Sequence, residues 1–301
     1  MSSVLRCCEP VEELVRKYRP VKRHMQPAVW ITAYDYPTAL AAEYAGVDMV
    51  LVGDSGLMVQ YGCSTTVTGE ATIDTMLLMT RAVRRGAPNT YLVGDMPIGS
   101  YESSDATAVE NAIRFIRDGG ADAVKLEGGM RMAERVRAIT GAGIAVIGHI
   151  GLTPQTTASL GGYRVQGRVR DQQAQLESDI LALEEAGAQA VLVEAVPANF
   201  GGRLAKSVGI PVFGIGAGPD VDGQLLIFHD VVGMYPDFRP SFAPSWFESG
   251  LARFHARPEN GDDPSLGVAS DGLLGLMGNI VSCFVDDVRA GSFPSADNSY
   301  A

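Results

Sequence analysis

The sequence predicts an α/β fold, a closed (β/α)8 barrel of the TIM type, on three observations. Short apolar runs of strand length alternate with stretches of helical period along most of the 301 residues. The runs are nearly continuous in apolar residues, as strands of a parallel sheet covered on both faces are. Eight such units in a chain of this length match a closed barrel, which needs about 250 residues.

The elements follow in order. AVWITAY (28–34) is the first strand. AGVDMVLVGD (45–54), GGADAVKLEG (119–128) and AGAQAVLVEA (186–195) form a weak internal repeat: a helix-ending glycine, a short turn, and a run that stops on or beside an acid. TYLVGDMP (90–97), IAVIGHIG (144–151) and PVFGIGAG (211–218) keep the same rhythm, and DVVGMY (230–235) is the weakest candidate, taken as the eighth strand. Between them lie helical patterns. In SDATAVENAIRFIRDGG, Val109, Ile113 and Ile116 recur at helical spacing, Ser104 or Asp105 can cap the start, and Gly119 or Gly120 can end it. An open nucleotide-binding sheet would call for G-x-G-x-x-G after the first strand; Gly214, Gly216 and Gly218 have another spacing and come late.

The bulk composition narrows the function. With 46% hydrophobic and 20% charged residues the chain can bury one large core, so a single barrel domain over 1–301 is expected. A net charge of −11 argues against nucleic acid or an anionic membrane as partner, leaving small molecules. Cys7, Cys8, Cys63 and Cys283 fit neither a disulfide framework nor a zinc knuckle, and no apolar run reaches membrane-spanning length. A cytoplasmic enzyme is the expectation.

The strand ends locate the chemistry. Asp54, Asp95, Glu127, His149 and Glu194 end five different strands, and a barrel of this type gathers such residues at one mouth. Each acid taken alone has an alternative role as a helix cap, although glutamate is not a favoured one. Lys125 and Glu127 are two residues apart on one strand and so share a face. An ammonium there needs an acid or an anionic ligand, and either a structural Lys125–Glu127 pair or a substrate contact meets that need. Oxygen ligands without cysteine suggest a hard cation, Mg²⁺, held by few carboxylates. His149 reads as a hydrogen-bonding neighbour of the site rather than a metal ligand.

These residues also carry a resemblance. TAYDYP, VGDS, RRGAP, KLEGG, GHIGLTPQ, GGYRVQG, VEAVP, and GIGAG followed by DGQLL and HD occur in that order, from about Ile31 to Trp246, with FVDDVRAGSFP (284–294) beyond. The sequence thereby resembles the 3-methyl-2-oxobutanoate (ketopantoate) hydroxymethyltransferase family of the phosphoenolpyruvate mutase and isocitrate lyase barrel superfamily. The resemblance implies that Asp54, Asp95 and Glu127 hold Mg²⁺. It implies that Asp54, Ser55, Asp95 and Lys125 hold the 2-oxo acid, with His149 a further site residue, and that Glu194 is the general base. It further implies 5,10-methylenetetrahydrofolate as co-substrate, a place in pantothenate biosynthesis, and a homo-oligomer, a decamer in the family.

Departures from the family pattern keep other readings open. Where the family has Gly-Asp-Ser-Leu-Gly-Met, this chain has GDSGLM; the displaced glycine, Gly56, suggests a rerouted loop. CSTTVTGEATID (63–74) is about two residues longer than its family counterpart, and Leu78 and Met79 stand where the family has Tyr-His before a threonine, removing a polar patch at or behind the mouth. Arg81, Arg84 and Arg85 suit a helix C-terminus, or a folate tail. GGYRVQG (161–167) is a candidate cover over the mouth, and residues 249–275 read as a surface insertion following an N-terminal helical extension and the barrel. A paralogue acting on another 2-oxo acid, a folate-independent lyase or aldolase, and a catalytically silent barrel are the alternatives.

Overall fold

Each apolar run pairs with the next. The computed structural model of the chain describes residues 26–256 and 272–301. Its strands are β1 (Ala28–Thr32), β2 (Met49–Val52), β3 (Tyr91–Asp95), β4 (Ala123–Glu127), β5 (Ala145–Gly151), β6 (Ala190–Glu194), β7 (Val212–Ile215) and β8 (Gly223–Leu226). All neighbours are parallel and β8 returns to β1, so the sheet closes into an eight-stranded barrel. The barrel fold is thus as the sequence predicts.

The eighth strand is the correction. It is GQLL (223–226), while the expected DVVGMY segment begins in the helix Phe228–Val232. The short β8 holds its place by pairing on both sides, with Ala28–Ile31 of β1 and with Phe213 and Gly214 of β7.

The helices obey their local signals. Asp35 accepts a hydrogen bond from Thr38 N–H to cap Tyr36–Ala45, and Gly46 ends that helix at φ 72°. Ser104 caps Asp105–Arg114 through Thr107 N–H; a π-turn follows, and Gly120 ends it at φ 76°. Arg84, at the end of helix Ile73–Gly86, pairs with Asp122 and donates to the Thr90 and Gly120 carbonyls. It therefore ties down the strand-entry end of β3 and β4, away from the mouth, which removes it as a folate-tail contact.

Strand side chains alternate between barrel interior and helix layer. Inside, Trp30 stacks against Phe213 at 4.7 Å and floors the barrel. One pleat higher, Thr32, Leu192, Ile215 and Leu225 line a cavity at the C-terminal mouth. The helix Leu273–Ala290 covers the outside next to β1 and Tyr36–Ala45. Gly250 of helix Phe247–His255 lies so close to it that a Cβ would meet Ile280 at 2.3 Å. The described ends of the expected insertion are thus packed helices rather than surface loop; its centre, 257–271, and the expected N-terminal helical extension lie outside the described residues. Among the described residues Cys63 and Cys283 are free thiols, and no helix is long and apolar enough to cross a membrane.

Candidate active site

The mouth holds a cavity of about 690 Å³ into which all seven candidate residues face: Asp54, Ser55, Asp95, Lys125, Glu127, His149 and Glu194. Each arrives for the same reason. An apolar strand pins the backbone inside the barrel, and its last inward position, or the turn just beyond it, carries the polar group to the rim.

Lys125 lies at the centre. Its Nζ donates to Asp95 Oδ2 at 2.7 Å and Oδ1 at 2.9 Å and stands 3.5 Å from Glu127 Oε1. Burial works to lower its pKa, but Asp95, Glu127 and Asp54 together outweigh burial and raise it, so the ammonium stays charged. The expected Lys125–Glu127 pair exists, but Asp95 is the closer partner. For Asp54, Asp95 and Glu127 burial is the largest influence and pushes each carboxyl up, with Lys125 as the main opposing charge.

His149 joins two acids. Its Nδ1 is 3.4 Å from Glu127 Oε1 and its Nε2 3.2 Å from Glu194 Oε2, both without hydrogen-bond geometry. Burial and then Lys125 lower its pKa, so it is a neutral imidazole. Glu194, with its side chain 16% exposed, is the more open acid of that chain; Glu127 is fully enclosed. Ala195, directly after Glu194, has φ 48°, the one positive value outside glycine among the described residues. Such a value is strained for alanine and fixes how the chain leaves β6.

Sequence reasoning missed the residue that laces the acids together. Gln155, 3% exposed in the turn after β5, donates Nε2 to Asp54 Oδ2 and to the Met96 carbonyl, both at 3.0 Å, and its N–H to Glu127 Oε2 at 2.9 Å. Its Oε1 accepts from Tyr101 Oη at 2.7 Å. The only available signal was the position of Gln155 just past a strand end. Tyr34 was missed likewise; its hydroxyl lies 2.9 Å from Ser55 Oγ.

Ionised, the three buried carboxylates facing one ammonium would carry an excess of two negative charges; a single divalent cation would balance it and offset the burial that pushes their pKa values up. The donor set is all oxygen, as Mg²⁺ prefers, and Glu127 Oε1 has no hydrogen-bond partner among the described residues. With Asp95 turned onto Lys125, no three His, Cys, Asp or Glu side chains among the described residues close into a metal cluster. Mg²⁺ needs only one or two protein carboxylates beside water and substrate oxygens. The residues fit such an ion.

Comparison with known proteins decides the family. The profile of Ketopantoate hydroxymethyltransferase matches residues 13–256. The chain belongs to that family. The 3-methyl-2-oxobutanoate hydroxymethyltransferase of one strain of Thermus thermophilus is 44% identical over 286 residues, 95% of this chain and 98% of that protein. The enzyme of the same name from Shouchella clausii is 47% identical over 245 residues, 79% of this chain and 87% of that protein. Among solved structures, a phosphonopyruvate hydrolase complex with oxalate and Mg²⁺ has a TM-score of 0.57 at 17% identity, covering 93% of this chain and 99% of that one. At that identity the likeness is one of fold.

The departures from the ketopantoate hydroxymethyltransferase pattern divide: Cys63, Ser64 and Thr66 of CSTTVTGEATID line the cavity, whereas the others lie beside or away from it. Gly56 starts the short helix Gly56–Val59 without a positive φ, so no special backbone angle explains it. Close approach does: a Cβ there would lie 2.5 Å from the Tyr34 ring. Leu57 is fully buried. Met79 packs in the core and Leu78 is 59% exposed, and neither lines the cavity, so the lost polar patch is not at the mouth. Tyr163 and Arg164 of GGYRVQG do line the cavity.

Proposed function

We infer that this chain transfers a hydroxymethyl group to 3-methyl-2-oxobutanoate, giving 2-dehydropantoate (ketopantoate) for pantothenate biosynthesis, with 5,10-methylenetetrahydrofolate as donor. The observation that carries the reading is Glu194 and Lys125 facing one cavity from opposite sides of His149, in a chain of this family. A proton beside a ketone is removable by a carboxylate only if the charge left behind is stabilised. Glu194, open to the cavity, takes the C3 proton of the 2-oxo acid. The Lys125 ammonium stands where negative charge grows on the substrate oxygens. Ser55, held by Tyr34, and Asp54, held by Gln155, orient the 2-oxo acid. Asp54, Asp95 and Glu127 would hold Mg²⁺, which supplies Lewis-acid polarisation of the keto oxygen when bound. His149, 3.2 Å from the Glu194 carboxylate, lies between it and Glu127. C3 then bonds to the methylene carbon of the donor and water supplies the hydroxyl oxygen, while both carbon–nitrogen bonds of that carbon break; tetrahydrofolate leaves with both electron pairs, its two nitrogens taking up the proton lost from C3 and one proton of the water.

Support for the metal comes from the excess charge of the site and from the Mg²⁺ in the phosphonopyruvate hydrolase complex of the same fold. A cytoplasmic, homo-oligomeric enzyme, decameric by family resemblance, completes the reading, and sedimentation tests the assembly. The function itself is tested by incubating the protein and Mg²⁺ with 3-methyl-2-oxobutanoate, with and without methylenetetrahydrofolate, and identifying products by mass. Ketopantoate only with both is expected; a new product without folate would replace this reading with a lyase or aldolase.

A further inference from the structure

Part of the cavity is not used by the chemistry at β2–β6. Beyond β7 and β8 its wall turns apolar and aromatic, with Ile227, Tyr235, Phe238 and Phe242 among the lining residues. Phe238 is 65% exposed, an unusual state for phenylalanine beside a cavity. One buried acid is set into this wall. Asp230, in the helix Phe228–Val232, is 4% exposed and lines the cavity.

The Asp230 carboxylate has no hydrogen-bond partner among the described residues; burial and the charge of Arg239 are the influences on it. Burial pushes its pKa up to about 6, against the pull of Arg239, so it is largely ionised at neutral pH. A carboxylate on a cavity wall needs hydrogen-bond donors, and with none from the described residues it takes them from whatever fills the cavity. Helix capping does not provide them, because no backbone N–H of its own helix bonds to that side chain. A ligand that brings the donors does.

We propose that Asp230 and the aromatic wall beside it form the subsite for the heterocycle of the one-carbon donor. The ligand class is a flat ring presenting two adjacent N–H donors, the ring N–H and the exocyclic amine of a 2-amino-4-oxopyrimidine edge. Two parallel N–H groups match the two oxygens of a carboxylate, and the ring faces pack on aromatic side chains. The cavity is continuous from Glu194 to Asp230, so a ring anchored at one end can carry its methylene carbon towards the other. The proposal rests on the folate donor inferred above and adds the residue that recognises it.

The test crosses two ligands with two proteins. Tetrahydrofolate and its 2-desamino analogue are titrated against the wild type and Asp230→Asn, with thermal unfolding as the check that the variant is folded. Wild type is expected to prefer tetrahydrofolate, and Asp230→Asn to bind it about 10- to 100-fold more weakly, as loss of a charged hydrogen bond implies. The variant should also lose most of the preference between the two ligands. Equal affinity of wild type for both ligands overturns the role of Asp230 and needs no variant, so a misfolded Asp230→Asn does not protect the proposal. Unchanged tetrahydrofolate affinity in a folded Asp230→Asn overturns it too, leaving the folate donor intact. Failure of the wild type to bind tetrahydrofolate at all overturns the donor reading, and the subsite with it.

Discussion

Lys125 Nζ grips both carboxylate oxygens of Asp95, at 2.7 and 2.9 Å, with both side chains almost wholly enclosed. Removing the ammonium leaves Asp95 and Glu127 as unpaired buried acids. Lys125→Met should therefore cost about 3–5 kcal/mol of stability. Activity should fall as well, because the same ammonium is the positive charge nearest the substrate site. Denaturant unfolding at neutral pH checks the first outcome. A variant as stable as the wild type would show that the pair is not structural.

Gln155 makes four hydrogen bonds to groups of the site while carrying no charge of its own. Gln155→Leu preserves bulk and the backbone N–H to Glu127 but strips Asp54, Tyr101 and the Met96 carbonyl of their side-chain partner. We expect about 10- to 100-fold weaker Mg²⁺ binding, the usual effect of losing a residue that orients metal ligands. Calorimetric titration with Mg²⁺ measures it, and unaltered affinity would mean that the acids hold their positions unaided.

Asp54 lines the cavity and is not part of the apolar core, so Asp54→Asn should weaken Mg²⁺ binding far more than it weakens folding. Chelator-treated wild type should be inactive and recover on addition of Mg²⁺. Full turnover in metal-free protein would remove the cation from the account.

Gly56 tests the tight contact under Ser55. A methyl group there meets the Tyr34 ring at 2.5 Å, so Gly56→Ala should cost about 1–3 kcal/mol by overpacking and pull Tyr34 from Ser55. A rise in KM for the 2-oxo acid would accompany the lower unfolding midpoint. An unchanged midpoint and KM would show that the ring yields freely.

Seven strands and the acids that end them were legible in the sequence, because a short apolar run that stops on a charge fits a buried strand whose last residue reaches a polar site. β8 was not. GQLL is four residues long, contains a glycine and a glutamine, and becomes a strand only through pairing with β1 and β7, whereas the more β-branched DVVGMY begins in the helix Phe228–Val232 and continues through Gly233, which ends it. Lys125 was legible through its spacing from Glu127, but its preference for Asp95 depends on the β3–β4 register, which sets the two residues opposite each other. Gln155, Tyr34 and Asp230 were hidden for a related reason. Tyr34 lies two residues beyond β1, at the end of the run read as the first strand, and Gln155 and Asp230 lie in the turn after β5 and in the helix Phe228–Val232, so none ends a strand in the structure. The displaced Gly56 misled because glycine marks close contacts as often as unusual angles, and only coordinates tell the two apart.

The central claim is that Glu194 removes the C3 proton of the bound 2-oxo acid. It is tested most directly by following, by proton NMR in D₂O with Mg²⁺ present, the loss of the C3 proton of 3-methyl-2-oxobutanoate on the wild type and on Glu194→Gln. The account predicts enzyme-dependent exchange on the wild type, and on the glutamine variant no exchange above background although the 2-oxo acid still binds. Equal exchange rates on the two proteins would contradict it and pass the proton transfer to another group, with His149, 3.2 Å from Glu194, the next to test.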